Sequence, residues 1–137
     1  MIVARDKVRF VETDMMGVVH HSNYFKWFEM GRVEYLRQVD ILLLDMIADG
    51  VLFPIVDVSC KYRQSARFDD VILIETTLAE VSRAKMRFTY RIVREQDGAL
   101  LAEGETQNVF TSLEGKIMRL PQKYYKKLSP ATIGQEF

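Results

Sequence analysis

The sequence predicts an α+β fold in which one antiparallel sheet, of about five strands, wraps a single long central helix. Three observations predict it. A stretch of helical apolar period lies near the N-terminus, several stretches of period two follow it, and turn signals separate those stretches at hairpin spacing. With 137 residues and 48% hydrophobic content, the chain suits one core, so a single domain over residues 1–137 with no linker is expected.

Residues 7–12 alternate, with Val8 and Phe10 on one face and Lys7 and Arg9 on the other, which suits a half-buried strand ending at Thr13-Asp14. From residue 23 to residue 38 the period changes. Tyr24, Phe28, Gly31 and Tyr35 recur at helical spacing, and Phe25, Trp27 and Leu36 widen the stripe into a helix buried over most of its girth. Gly31 sits inside that stripe, where glycine costs roughly 1 kcal/mol against alanine, so its expected use is close approach of the helix to the sheet. Ser22 or Asn23 is expected to cap the first turn. A short apolar segment, residues 41–47, stops at Asp49-Gly50.

Strand signals then dominate. Val56, Val58, Cys60 and Tyr62 alternate with Asp57, Ser59, Lys61 and Arg63, and Met86, Phe88, Tyr90 and Ile92 alternate with Arg87, Thr89 and Arg91. Residues 71–78 form a further run after Asp69-Asp70, and residues 100–111 another, entered through an Asp97-Gly98 hairpin turn. Residues 121–128 suit a short terminal helix. A single sheet around one helix leaves strand edges with unpaired N–H and C=O groups, which favour pairing with a second copy, so a dimer or higher assembly is expected.

Composition narrows the function. Lys plus Arg and Asp plus Glu are balanced at 19 each, so there is no long-range basic field of the kind that draws a protein onto nucleic acid. The single cysteine, Cys60, forms no internal disulfide, and no basic-apolar leader or long apolar run is present. A cytoplasmic address without membrane insertion is expected. Cys60 stands in an alternating stretch and reads as a packing residue, and Lys61, Arg63, Arg87 and Arg91 read as a solvated face.

The chemistry-bearing residues cluster in the link between the first strand and the helix, where Asp14, His20 and His21 fall. Gly17 permits a turn that folds Asp14 back toward the helix N-terminus, whose unpaired N–H groups and positive dipole end favour negative charge. A carboxylate opposite such donors is suited to hydrolysing a thioester, because a thiol leaves as thiolate without an obligatory general acid. The aspartate either attacks the carbonyl or takes a proton from water. Adjacent histidines in extended chain point to opposite sides, so no metal site and no separate cofactor are expected here. His21 offers a backbone N–H just before the helix.

Phe10, Thr13-Asp14, Gly17-Val18-Val19 and Asn23-Tyr24 together resemble the pattern of the 4-hydroxybenzoyl-CoA thioesterase family, in particular its small bacterial acyl-CoA thioesterases associated with the Tol-Pal cell-envelope system. Residues 71–76 after Asp69-Asp70, and the apolar-basic strand after Arg83, extend the resemblance over roughly residues 6–125. It implies a hot-dog fold, a homodimer or homotetramer with active sites at the subunit interface, and an acyl-CoA or acyl carrier protein thioester as substrate. It puts the catalytic carboxylate on Asp14 and the carbonyl-polarising N–H on His21. Gly17, Val18 and Tyr24 are then substrate-binding candidates, and Arg83 and Lys85 are candidates for the CoA phosphates. Two other readings are a hot-dog dehydratase, which would move a proton at carbon, and a non-catalytic module that binds acyl-CoA or acyl carrier protein.

Overall fold

The computed structural model describes residues 1–136, and the side chains of residues 1–129. In chain order it contains β1 (Ile2–Lys7), a 3-10 turn (Phe10–Glu12), α1 (Asn23–Gln38), α2 (Leu43–Ala48), β2 (Ile55–Tyr62), β3 (Val71–Val81), β4 (Lys85–Arg94), β5 (Leu100–Val109) and α3 (Gln122–Glu136). The strands form one five-stranded sheet in the order β1-β3-β4-β5-β2, and every neighbouring pair is antiparallel. The β3-β4-β5 meander makes the centre, while β1 and β2 take the two edges.

Helix α1 lies across β1, β3 and β4. It buries Tyr24, Trp27, Phe28, Gly31, Tyr35 and Leu36 against alternate residues of the sheet, among them Ile72, Ile74 and Leu78 of β3 and Met86, Phe88, Tyr90 and Ile92 of β4. Phe28 stacks on Tyr90 at 4.4 Å, and Tyr35 meets Phe88 edge-on at 5.5 Å. Gly31 has the expected use: a Cβ there would stand 2.2 Å from Thr76 Oγ1 and 3.0 Å from Ile74 Cγ2. This is the sheet-around-helix architecture that the resemblance implies.

Four local expectations are corrected. The first strand ends where it was expected to begin, since Ile2–Lys7 pairs with β3 and the chain then enters the 3-10 turn. Bonds from Glu12 N to Arg9 O and from Thr13 N to Phe10 O replace ladder bonds there, so Val8 is buried while Phe10 is 74% exposed. Neither Ser22 nor Asn23 caps α1 in the expected way. Ser22 is already helical (φ −63, ψ −23) and its hydroxyl lies 2.8 Å from His20 Nδ1, while Asn23 Nδ2 donates to the carbonyls of Glu12 (3.0 Å) and His20 (3.3 Å). On α1, Phe25 is exposed, and Arg32 is buried in the sheet-facing surface instead. Arg32 donates to the Tyr90 hydroxyl, which in turn contacts Thr106 Oγ1, and its Nε has no partner among the described residues. The terminal helix runs further than residue 128; its first turns bury Tyr124 and Leu128, and Lys123 and Tyr124 both engage Asp49 beyond α2.

The two faces of β2 differ from those of the central strands. The outer face of the sheet beside it is charge-paired: Arg63, just past β2, pairs with Glu103, Arg87 with Glu80 and Glu105, and Arg91 with Glu75. Its apolar residues Val56 and Val58 remain exposed.

Candidate active site

The loop between β1 and α1 is a small hairpin of its own. Thr13 bridges Val19, Val18 bridges Arg67, and Val19 N donates to Ala66 O, so its returning arm is pinned to the chain leaving β2. At the tip, Gly17 N donates to Asp14 O in a turn that places Gly17 at φ +76, a backbone region open to glycine and strained for other residues. Asp14 N donates to Val18 O at 2.8 Å, and Asp14 Oδ1 accepts the Met16 N–H at 2.8 Å. These bonds fix the backbone and one carboxylate oxygen, and Asp14 forms no ion pair among the described residues.

Glu12 anchors the base of this hairpin. Its carboxylate, with a side chain only 2% exposed, accepts the Arg9 N–H and pairs with Lys26 on α1. Its carbonyl accepts the N–H of His20 at 2.9 Å and Nδ2 of Asn23 at 3.0 Å. One residue thus ties the hairpin to both the helix and the histidine pair. Glu12→Gln keeps an acceptor for Arg9 but loses the charge opposite the half-exposed Lys26, so it is expected to cost about 1–2 kcal/mol in chemical denaturation.

Asp14, His20, His21, Tyr24, Tyr62 and Arg63 line one cavity of about 300 Å³. His21 N donates to no group among the described residues, whereas its carbonyl accepts from the Tyr62 hydroxyl and from Tyr24 N. Tyr24 also accepts the Ala66 N–H with its hydroxyl and packs edge-on against Tyr62 at 5.1 Å. Burial pushes the hydroxyls of both tyrosines up, that of Tyr62 to about 12. Burial likewise raises the Cys60 thiol, which suppresses the reactive thiolate and agrees with a packing role.

The structure brings Asp14, His21 and Tyr24 to one cavity, with Gly17 and Val18 in the hairpin that holds Asp14. It places Arg83 and Lys85 elsewhere. Arg83 Nε donates to Leu120 O, and Lys85 pairs with Glu80 at 3.5 Å. Sequence reasoning missed Tyr62, Gln64 and Ser65 as cavity residues. Tyr62 reads as one more apolar member of an alternating strand, and only the pairing of β2 with β5 brings its end to the mouth of α1. A larger groove of about 600 Å³ lies between β1 and α1, but none of the predicted site residues lines it. Among the described residues no cluster of His, Cys, Asp and Glu could hold a metal ion, and no helix is long and apolar enough to cross a membrane.

The chain is similar to known proteins over most of its length. A crystal structure of a hypothetical protein from Thermus thermophilus is 42% identical and superposes with a TM-score of 0.88, covering 94% of this chain and 98% of that one. The DHNA-CoA thioesterase of Staphylococcus aureus superposes with a TM-score of 0.88 at 27% identity, covering 98% and 89%. An acyl-CoA thioester hydrolase of Escherichia coli, YbgC, is 30% identical over 131 residues, 96% of this chain and 91% of its own. The pattern of the thioesterase-like superfamily matches residues 8–128. A hot-dog fold, an aspartate-bearing hairpin at the entrance of its helix and a match over most of the chain converge on one assignment: the chain belongs to the thioesterase-like superfamily, as a thioester hydrolase.

Proposed function

We propose that the protein hydrolyses an acyl-CoA thioester in the cavity around Asp14, releasing free acid and CoA thiol, with acyl carrier protein as the alternative bearer of the same thioester. The observation that carries this reading is the meeting of a carboxylate, Asp14, and a backbone N–H without a partner among the described residues, that of His21, around one cavity. The N–H polarises the thioester carbonyl and holds the oxyanion that forms as the carbon becomes tetrahedral. Asp14 either takes a proton from the attacking water or adds to the carbonyl carbon itself, giving a mixed anhydride that water then opens. In both routes the C–S bond breaks and sulfur leaves as thiolate.

The exposed apolar residues Val56 and Val58 and the unpaired edge of β2 support a homodimer or homotetramer. In that assembly Arg83 and Lys85 serve the CoA phosphates. The expected address is the cytoplasm. The test is thiol release by purified protein across short, long and aromatic acyl-CoAs. Steady turnover of at least one class is expected; saturable binding with no thiol released would favour a non-catalytic binding module.

A further inference from the structure

Residue 21 is held from both sides, by the base of its own loop and by the end of β2. On the N-terminal side, the His20 N–H donates to Glu12 O at 2.9 Å, which fixes the peptide preceding His20. On the C-terminal side, the Tyr62 hydroxyl, arriving from the end of β2, donates to the His21 carbonyl at 3.2 Å. Between those two anchors the His21 N–H donates to nothing among the described residues. A donor that is fixed before the reaction loses no orientational freedom when charge develops, which is the condition under which a single N–H lowers a barrier.

We propose that Tyr62 is a positioning residue for thioester hydrolysis: its hydroxyl holds the peptide that follows His21 and so, together with the anchor before His20, limits the rotation of the intervening peptide whose N–H, that of His21, is aimed at the substrate carbonyl. The proposal rests on the reading of His21 as the oxyanion donor. Several observations converge on Tyr62. Its ring packs edge-on against Tyr24 at 5.1 Å and against His21 at 6.3 Å, so the hydroxyl is delivered by a braced aromatic frame. A tyrosine hydroxyl is protonated through the neutral range, and desolvation pushes that of Tyr62 further up, so it is a donor under assay conditions. The same strand carries Val56 and Val58 on its exposed apolar side and lies at a sheet edge, which places the brace on the element that a second copy would order.

At 3.2 Å the bond is at the long end for O–H···O, which limits the expected effect to that of one ordinary neutral hydrogen bond. Tyr62→Phe keeps the ring and both aromatic contacts and removes the hydroxyl, with its bond to His21 O and its contact with the Cys60 thiol. It is expected to lower kcat about tenfold while KM changes less than about twofold and thermal stability is retained. Wild-type kcat in Tyr62→Phe would overturn the proposal, as would parallel losses of kcat, KM and thermal stability, which would mark a structural role alone. Assays of wild type and Asp14→Asn alongside separate the levels. An inactive wild type rejects the thioesterase reading itself, whereas an active wild type, an inactive Asp14→Asn and a fully active Tyr62→Phe reject only the positioning role.

Discussion

Asp14→Asn is expected to lower thiol release from acyl-CoA by at least about 100-fold while the protein stays folded. The substitution is nearly isosteric, and its side-chain oxygen still accepts the Met16 N–H that Asp14 Oδ1 accepts now, so the hairpin and its Gly17 turn persist. What disappears is the negative charge, and with it both ways in which residue 14 serves the reaction: an amide neither takes a proton from water nor adds to a carbonyl. The loss should fall on kcat, with substrate affinity maintained. The check is a thiol-release assay at saturating acyl-CoA, run beside circular dichroism of the same sample. Retained turnover in a folded variant would move the chemistry away from Asp14.

Gly31→Ala is expected to cost about 2–3 kcal/mol in stability, against the direction of helix propensity. In an exposed helix the change would gain roughly 1 kcal/mol. Here the new methyl would stand 2.2 Å from Thr76 Oγ1, and α1 would have to lift from the sheet that buries Trp27, Phe28 and Tyr35. The atom in the way belongs to a side chain, and that hydroxyl has no partner among the described residues. Thr76→Ala should therefore be tolerated alone and should recover part of the loss when combined with Gly31→Ala. The remaining approach to Ile74 Cγ2 at 3.0 Å would hold recovery short of completion. Chemical denaturation of the two single variants and the double variant measures this coupling, and strict additivity would show that the Thr76 contact is not the cause.

The parts of the fold that the sequence discloses are those governed by local periodicity. α1 begins and ends at the expected residues because its apolar stripe and its glycine answer to one packing surface, the inner face of β3 and β4. β3, β4 and β5 are found for the same reason, since alternation in Ile72, Ile74 and Leu78 and in Met86, Phe88 and Tyr90 is the direct signature of one covered face. β2 shows the limit of that logic. Its alternation is as regular, but Val56 and Val58 on its apolar side stay exposed, and nothing local distinguishes an inner face covered by the helix from one that is not. Residues 7–12 mislead for a different reason, because a short alternating run fits a strand and a 3-10 turn equally, and the choice is made by where β3 stops pairing.

The site divides in the same way. Asp14, Gly17 and His21 are legible because they occupy one contiguous hairpin whose turn chemistry is local. Tyr62 is not, since its place beside His21 depends on β2 pairing with β5 at the opposite edge of the sheet from β1. The anchoring role of Glu12 is equally hidden: a buried carboxylate looks in sequence like any polar residue at the end of a strand, and its burial is accounted for by Arg9 together with Lys26 on the first turns of α1.

The most direct single measurement is a crystal structure of Asp14→Asn soaked with an intact acyl-CoA. The expected density has the thioester carbonyl oxygen about 3 Å from the His21 amide nitrogen, with the residue-14 side chain against the carbonyl carbon. An acyl-CoA bound with its thioester outside the hairpin cavity, remote from residues 14 and 21, would contradict the account.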